Sequence, residues 1–166
     1  TYYVWGGDSL QWNENERHEY VYDDYNREIS HKYYLRNSSS NEMQYNSYTE
    51  ASYNANGKIT LYKAFSVVDS TGKFGETQNE IFNYNNSNDL ISNYSSFYDS
   101  SKDTLIPYAK FEREYNEDFS FENLILPGDY NDMDLFSHLL ITNTEYAWTE
   151  ASGWTIQSTN DYFFSD

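Results

Sequence analysis

The chain has 166 residues, enough for one domain, and its 27 acidic side chains against ten Lys and Arg give a formal net charge of −17. That balance excludes nucleic acid as a partner, because so few cations cannot displace phosphate counterions, and it disfavours anionic membrane surfaces. With no cysteine there is no disulfide framework, thiol nucleophile or thiolate metal site, and no run of about 18 apolar residues exists to span a membrane.

Aromatic residues make up 20% of the chain, with 19 Tyr against 10 Phe and 4 Trp. Tyrosine packs by its ring while its hydroxyl stays wet or hydrogen-bonded, which suits a thin sheet with two half-exposed faces better than a thick, dry core. Together with Thr, Val and Ile it makes all-β the expected class. Thr1 begins no signal peptide, so an export signal is expected to have been removed or to lie outside this segment.

Taken in chain order, the predicted elements repeat. Residues 1–16 form a partial unit carrying Trp5 and Trp12. Full units follow at 17–47, 48–78, 79–109 and 110–140, and 141–166 closes the series. The turn regions read YVYDDYNREIS (20–30), ASYNANGKIT (51–60), FNYNNSNDLIS (82–92) and REYNEDFSFENLI (113–125). Tyr22, Tyr53, Tyr84 and Tyr115 stand 31 residues apart, and Tyr146 extends the column. Ten residues before each stand Trp12, Met43, Phe74, Leu105 and Phe136.

Four residues after the tyrosines come Asn26, Gly57 and Asn88, the residue types that tolerate positive φ. That position is where a type I turn followed by a G1 bulge needs a left-handed residue to close a hairpin. In the fourth copy it is Phe119, which predicts a rebuilt turn there. Matched apolar, tyrosine and turn columns at one period are the signature of a repeat protein. Each unit reads as a strand ending at the tyrosine, a tight turn, a second strand such as 58–66, and a polar turn (SSSN, DSTGK, DSSKD). The expected fold is a set of antiparallel β-hairpin repeats stacked as a twisted single sheet or β-solenoid, with a closed β-barrel as the alternative.

These columns resemble the tyrosine-rich repeats of large secreted Bacteroidota proteins that use type IX secretion. Trp5, Trp12, Arg17, Glu19, Tyr20, Tyr22, Asp23 and Asn26 carry the match, and Trp148, Trp154, Phe163, Phe164 and Ser165 are similar to the last repeat of such proteins. The resemblance implies an extracellular or outer-membrane-surface location and an architectural role, and specifies no activity.

Candidate chemistry is sparse. His18, His31 and His138 lack metalloprotease spacing, and there is no nucleophile elbow or phosphate loop, so no enzyme is expected. Asp129, Asn131, Asp132 and Asp134 in GDYNDMDLF offer oxygen donors of the kind Ca²⁺ prefers, or form an Asx-rich turn. Trp5, Trp12, Trp148 and Trp154 are either ligand-stacking rings, as for a glycan, or caps over the end repeats. The expected function is that of a non-catalytic spacer or protein-interaction module. A subunit of an outer-membrane surface assembly fits that expectation, with a carbohydrate-binding accessory module of a secreted glycan-degrading system as the alternative.

Overall fold

A computed structural model describes residues 2–6, 11–68, 72–120 and 138–162, with the backbone alone described at 2–6, 11–13, 117, 119 and 120. Ten strands follow one another: β1 (Tyr2–Gly6), β2 (Gln11–Tyr22), β3 (Glu28–Arg36), β4 (Met43–Tyr53), β5 (Ile59–Val67), β6 (Phe74–Tyr84), β7 (Leu90–Asp99), β8 (Thr104–Ser120), β9 (His138–Thr149) and β10 (Gly153–Asp161). They form one antiparallel sheet in sequential order, with β1 and β10 as its edges. The sheet is therefore open, and the closed barrel is not formed. Among the described residues no helix is long and apolar enough to cross a membrane.

The sheet consists of five hairpins, β1–β2 to β9–β10, linked by joining turns. The first three joining turns have one geometry. Asn26, Gly57 and Asn88 adopt φ of 61°, 80° and 69°. The amide of each donates to the carbonyl three residues back, on Asp23, Asn54 and Asn85, at 3.0 Å. The side-chain oxygen of that same Asp or Asn accepts the amide of the residue that closes the turn: Arg27 at 3.0 Å, Lys58 at 2.9 Å and Asp89 at 2.8 Å. An Asx oxygen thus fills the inner face of a type I turn, and the left-handed residue after it turns the chain into the next strand.

The fourth joint departs. No turn forms at Phe119, because β8 runs on to Ser120. Tyr115 pairs with Leu140, as Tyr84 pairs with Leu90, so the equivalent residue comes fifty positions later instead of 31. This displacement corrects the periodic reading of Tyr146, which lies in mid-strand opposite Lys110 and Ile156 and does not end a strand.

Each hairpin also carries a bulge that the sequence columns do not announce. The pairing skips Asn15, Asn46, Thr77, Tyr108 and Gln157, each three residues after the apolar column. In this alignment the fifth member of that column is Trp154, and Phe136 lies outside the described residues. A second family of left-handed residues, Asn41, Gly72 and Asp103, again 31 apart, serves the turns that close the hairpins.

The described residues enclose almost no core. Among the described residues only Leu90 (2% exposed) and Leu139 (7%) are buried apolar side chains. The accessible surface of 11394 Å² exceeds the roughly 8,600 Å² expected of a compact chain of this mass. Stability must come from ladder hydrogen bonds and cross-strand side-chain pairs within one layer, each hairpin leaning on its neighbours.

Candidate interaction surface

In every hairpin one cross-strand pair occupies the same place next to the closing turn: Trp5 with Trp12, Arg36 with Met43, Val67 with Phe74, Tyr98 with Leu105, and Trp148 with Trp154. The four tryptophans singled out from the sequence are thus the first and last of five equivalent pairs. The structure brings them together two by two and leaves the two pairs apart. Eight strand steps separate them, about 38 Å measured along the sheet. The rings of Trp148 and Trp154 meet edge to face, with centroids 5.4 Å apart. Gly153, at φ 69°, lets the chain turn tightly against them; a Cβ added there would lie 3.5 Å from the Trp148 ring.

By strand alternation the four pairs from Arg36–Met43 to Trp148–Trp154 share one face, and further rings on that face reach past intervening strands. Tyr34 on β3 touches Tyr45 on β4 (5.3 Å), and Tyr45 stacks on Phe74 of β6 at 4.8 Å, passing over β5. At the C-terminal end Trp154 of β10 meets Tyr94 of β7 at 6.0 Å. Below them the Lys110 ammonium sits 4.4 Å from the Tyr146 ring centre and 5.7 Å from that of Tyr94. Lys110 is ion-paired with Glu112, which also accepts the Tyr146 hydroxyl at 2.7 Å. The hydrogen bond from Lys110, then that from Tyr146, holds the Glu112 carboxyl below its usual range, and Glu112 raises Lys110 in turn. Beside this cluster Ile91, Ser92, Glu112, Glu114, Thr142 and Thr144 line a shallow depression of about 390 Å³. Hydroxyls flank carboxylates there by strand register: Ser92 and Thr144 lie opposite Glu112, and Thr142 lies opposite Glu114.

The other face carries a row that sequence reasoning missed. His18 pairs with Tyr33 and Tyr20 with His31 across β2 and β3. His18 Nδ1 and His31 Nε2 are 2.8 Å apart, and near-parallel tyrosine rings flank the two imidazoles. The available signal was the near-symmetric placement of His18 and His31 about the Asn26 turn; motif spacing along the chain does not detect it.

The joining turns form a third feature, a row along one margin. Arg27 pairs with Asp23 (2.6 Å) and donates to the carbonyl of Asn54 in the next turn at 3.2 Å. Asn54 and Asn56 donate to Asn88 Oδ1 at 3.3 and 3.4 Å. Asp89, wholly buried, accepts the backbone amide of His138 at 2.9 Å and faces His138 Nδ1 at 2.8 Å. The third turn thereby grips the start of β9. These hydrogen bonds tie Asn26, Gly57 and Asn88 into the turn geometry of this margin.

Asp129, Asn131, Asp132 and Asp134, the candidate calcium donors, lie outside the described residues. Among the described residues no group of three or more His, Cys, Asp or Glu is placed to hold a metal ion.

No family model matches the chain, and no curated protein matches it. Among solved structures it is similar to a Bacteroides fragilis protein of unknown function, with a TM-score of 0.56 at 10% identity, over 95% of this chain and 96% of that one. That likeness establishes a shared fold. Two DUF3836 family proteins, from Bacteroides vulgatus (TM-score 0.42, 13% identity, 57% of this chain and 91% of that) and Parabacteroides distasonis (0.39, 18%, 56% and 90%), are more distant.

Proposed function

We propose that this chain is a non-catalytic repeat module, exported and held at the cell surface, that acts as a spacer and protein-interaction surface in an outer-membrane assembly. The observation that carries this reading is the single layer with almost no core. The described residues form one sheet with both faces half-open, so their side chains are devoted to surface. The contact face is the one bearing those four hairpin-end pairs, where Val67 and Phe74 are exposed apolar residues. Export by the type IX route rests on the tyrosine-repeat resemblance.

The test places a photo-crosslinking residue at Phe74 or, on the opposite face, at Gln78, in the producing cell. Protein adducts from position 74 and none from 78 are expected; equal labelling, or none, removes the reading.

The depression beside Tyr146 favours a second reading, a carbohydrate-binding accessory module, since carboxylates flanked by hydroxyls and rings suit sugar hydroxyls and C–H faces. Sugar-dependent quenching of tryptophan fluorescence, lost in Trp154→Ala, supports it, and silence across a glycan array removes it.

A further inference from the structure

The seams between hairpins obey one rule. They open at Glu16 with Leu35, Ser47 with Ser66, Gln78 with Phe97, and Ala109 with Ala147. In each case the first residue directly follows the bulge of an even-numbered strand. The second directly precedes the hairpin-end residue of an odd-numbered strand (Arg36, Val67, Tyr98, Trp148). The rule holds at all four seams, including the one across the displaced fourth joint.

Among the described residues, both halves of a fifth seam have no partner strand at the sheet's edges. β10 has its bulge at Gln157, which makes Ser158 the opening residue, and β1 has its hairpin-end residue at Trp5, which makes Val4 the partner. β10 also lacks the usual protections of an edge strand. GWTIQSTND contains no Lys, Arg or Pro, and its one charge, Asp161, stands at its end. Its bulge gives no protection, because β4, β6 and β8 carry the same bulge and still pair on their far sides.

Ile156 adds a second observation. It is an apolar residue 62% exposed on this edge strand, at the position that Tyr45 holds on β4. Tyr45 is covered by Phe74 from two strands further on, and the residue at the Phe74 position of the first hairpin is Trp12.

We infer that the free edge of β10 takes the free edge of β1 from a second copy of this chain, head to tail. Ser158 then lies opposite Val4, Thr159 opposite Tyr3, and Asn160 opposite Tyr2. The same interface repeats at each end, so the product is an open chain of copies and not a closed dimer. Three ladder pairs between copies of charge −17 make a weak contact, strengthened by salt as the repulsion is screened.

The absence of cysteine allows the register to be read covalently. Val4→Cys/Ser158→Cys is oxidised at high protein concentration and run without reductant, with circular dichroism confirming that each variant is folded. Disulfide-linked dimers, trimers and longer species that collapse on reduction and increase with salt are expected. Val4→Cys/Thr159→Cys, whose second cysteine faces the other side of the sheet, is expected to stay monomeric, and adding Ile156→Lys to the first pair is expected to abolish the ladder. The inference is overturned if both cysteine pairs cross-link alike, or if Val4→Cys/Ser158→Cys stays monomeric or closes within one molecule. Sedimentation of the unsubstituted chain gives an independent reading: a sedimentation coefficient unchanged with concentration and salt also overturns it.

Discussion

The Tyr53 hydroxyl donates to the main-chain oxygen of Glu28 at 2.7 Å, tying the last residue of β4 to the first of β3 at the open mouth of their hairpin. Tyr115 makes the same bond to Leu90 at 2.8 Å two hairpins later. Tyr53 and Tyr115 of the tyrosine column therefore act as struts, which explains why a phenol and not simply an apolar ring stands at those two positions. At the first strut Arg27 adds its guanidinium, 4.8 Å from the centre of the Tyr53 ring.

Replacing Tyr53 by Phe keeps the ring and removes the strut. A loss of about 1 kcal/mol is expected in urea unfolding. Tyr53→Ala also removes the surface on which Arg27 rests, so its larger loss should exceed that of Tyr53→Phe; equal losses would assign the effect to the hydroxyl alone.

Gly57→Ala forces a side chain into a backbone at φ 80°. No atom lies nearer than 4.0 Å to the added carbon, so the cost is conformational and amounts to about 1–2 kcal/mol. Asn26→Gly keeps the conformation and should alter the thermal midpoint far less, whereas Asn88→Gly keeps it but also gives up the Oδ1 that accepts from Asn54 and Asn56. Replacing Asn26 by Val should resemble the alanine at 57.

The turn residues and the tyrosine column were legible because each repeats at a fixed interval with a distinct physical requirement. The bulges at Asn15, Asn46, Thr77 and Tyr108 have the same period, yet a residue skipped by its neighbour strand needs no special side chain, so its identity drifts from Asn to Thr to Tyr. Trp154 was legible as a tryptophan; its equivalence to Trp12 appeared only once strand pairing had accounted for the displacement before β9.

Asp89 is the only wholly buried charged residue among those described, and it holds the first residue of β9. Asp89→Ala leaves the His138 amide and ring without their acceptor, with an expected loss of about 3 kcal/mol or more. Hydrogen exchange should show protection falling first in β9 and β10 and least in β2 to β4. A uniform fall would show that the grip is not local.

The pH dependence should form a plateau with two edges. Arg27 holds Asp23 below its usual range, and Lys110 and Tyr146 do the same for Glu112. Groups with depressed folded values stabilise above their unfolded range and lose that contribution as pH falls through the folded value, so the midpoint should drop below about pH 4. At the alkaline end, burial raises Tyr48 to about 12 and Tyr115 further. Their contribution is complete below the unfolded tyrosine range and is lost as pH rises through the folded values, so unfolding should set in above about pH 10. Thermal scans across pH, with tyrosinate absorbance as a second probe, check both edges. Asp23→Asn should flatten the acid edge.

By itself the sequence determined the class, the hairpin unit and the positions of the first three joining turns, because strand propensity and left-handed backbone angles are requirements of single residues and their immediate neighbours. Only the tertiary structure decided that the hairpins form one open sheet, that the tryptophan pairs stand at equivalent places at opposite ends, and that pairing resumes in register after residue 137. Those outcomes depend on which strands lie beside one another and in what register, and a periodic chain writes nearly the same local sequence whether its sheet stays open or closes on itself.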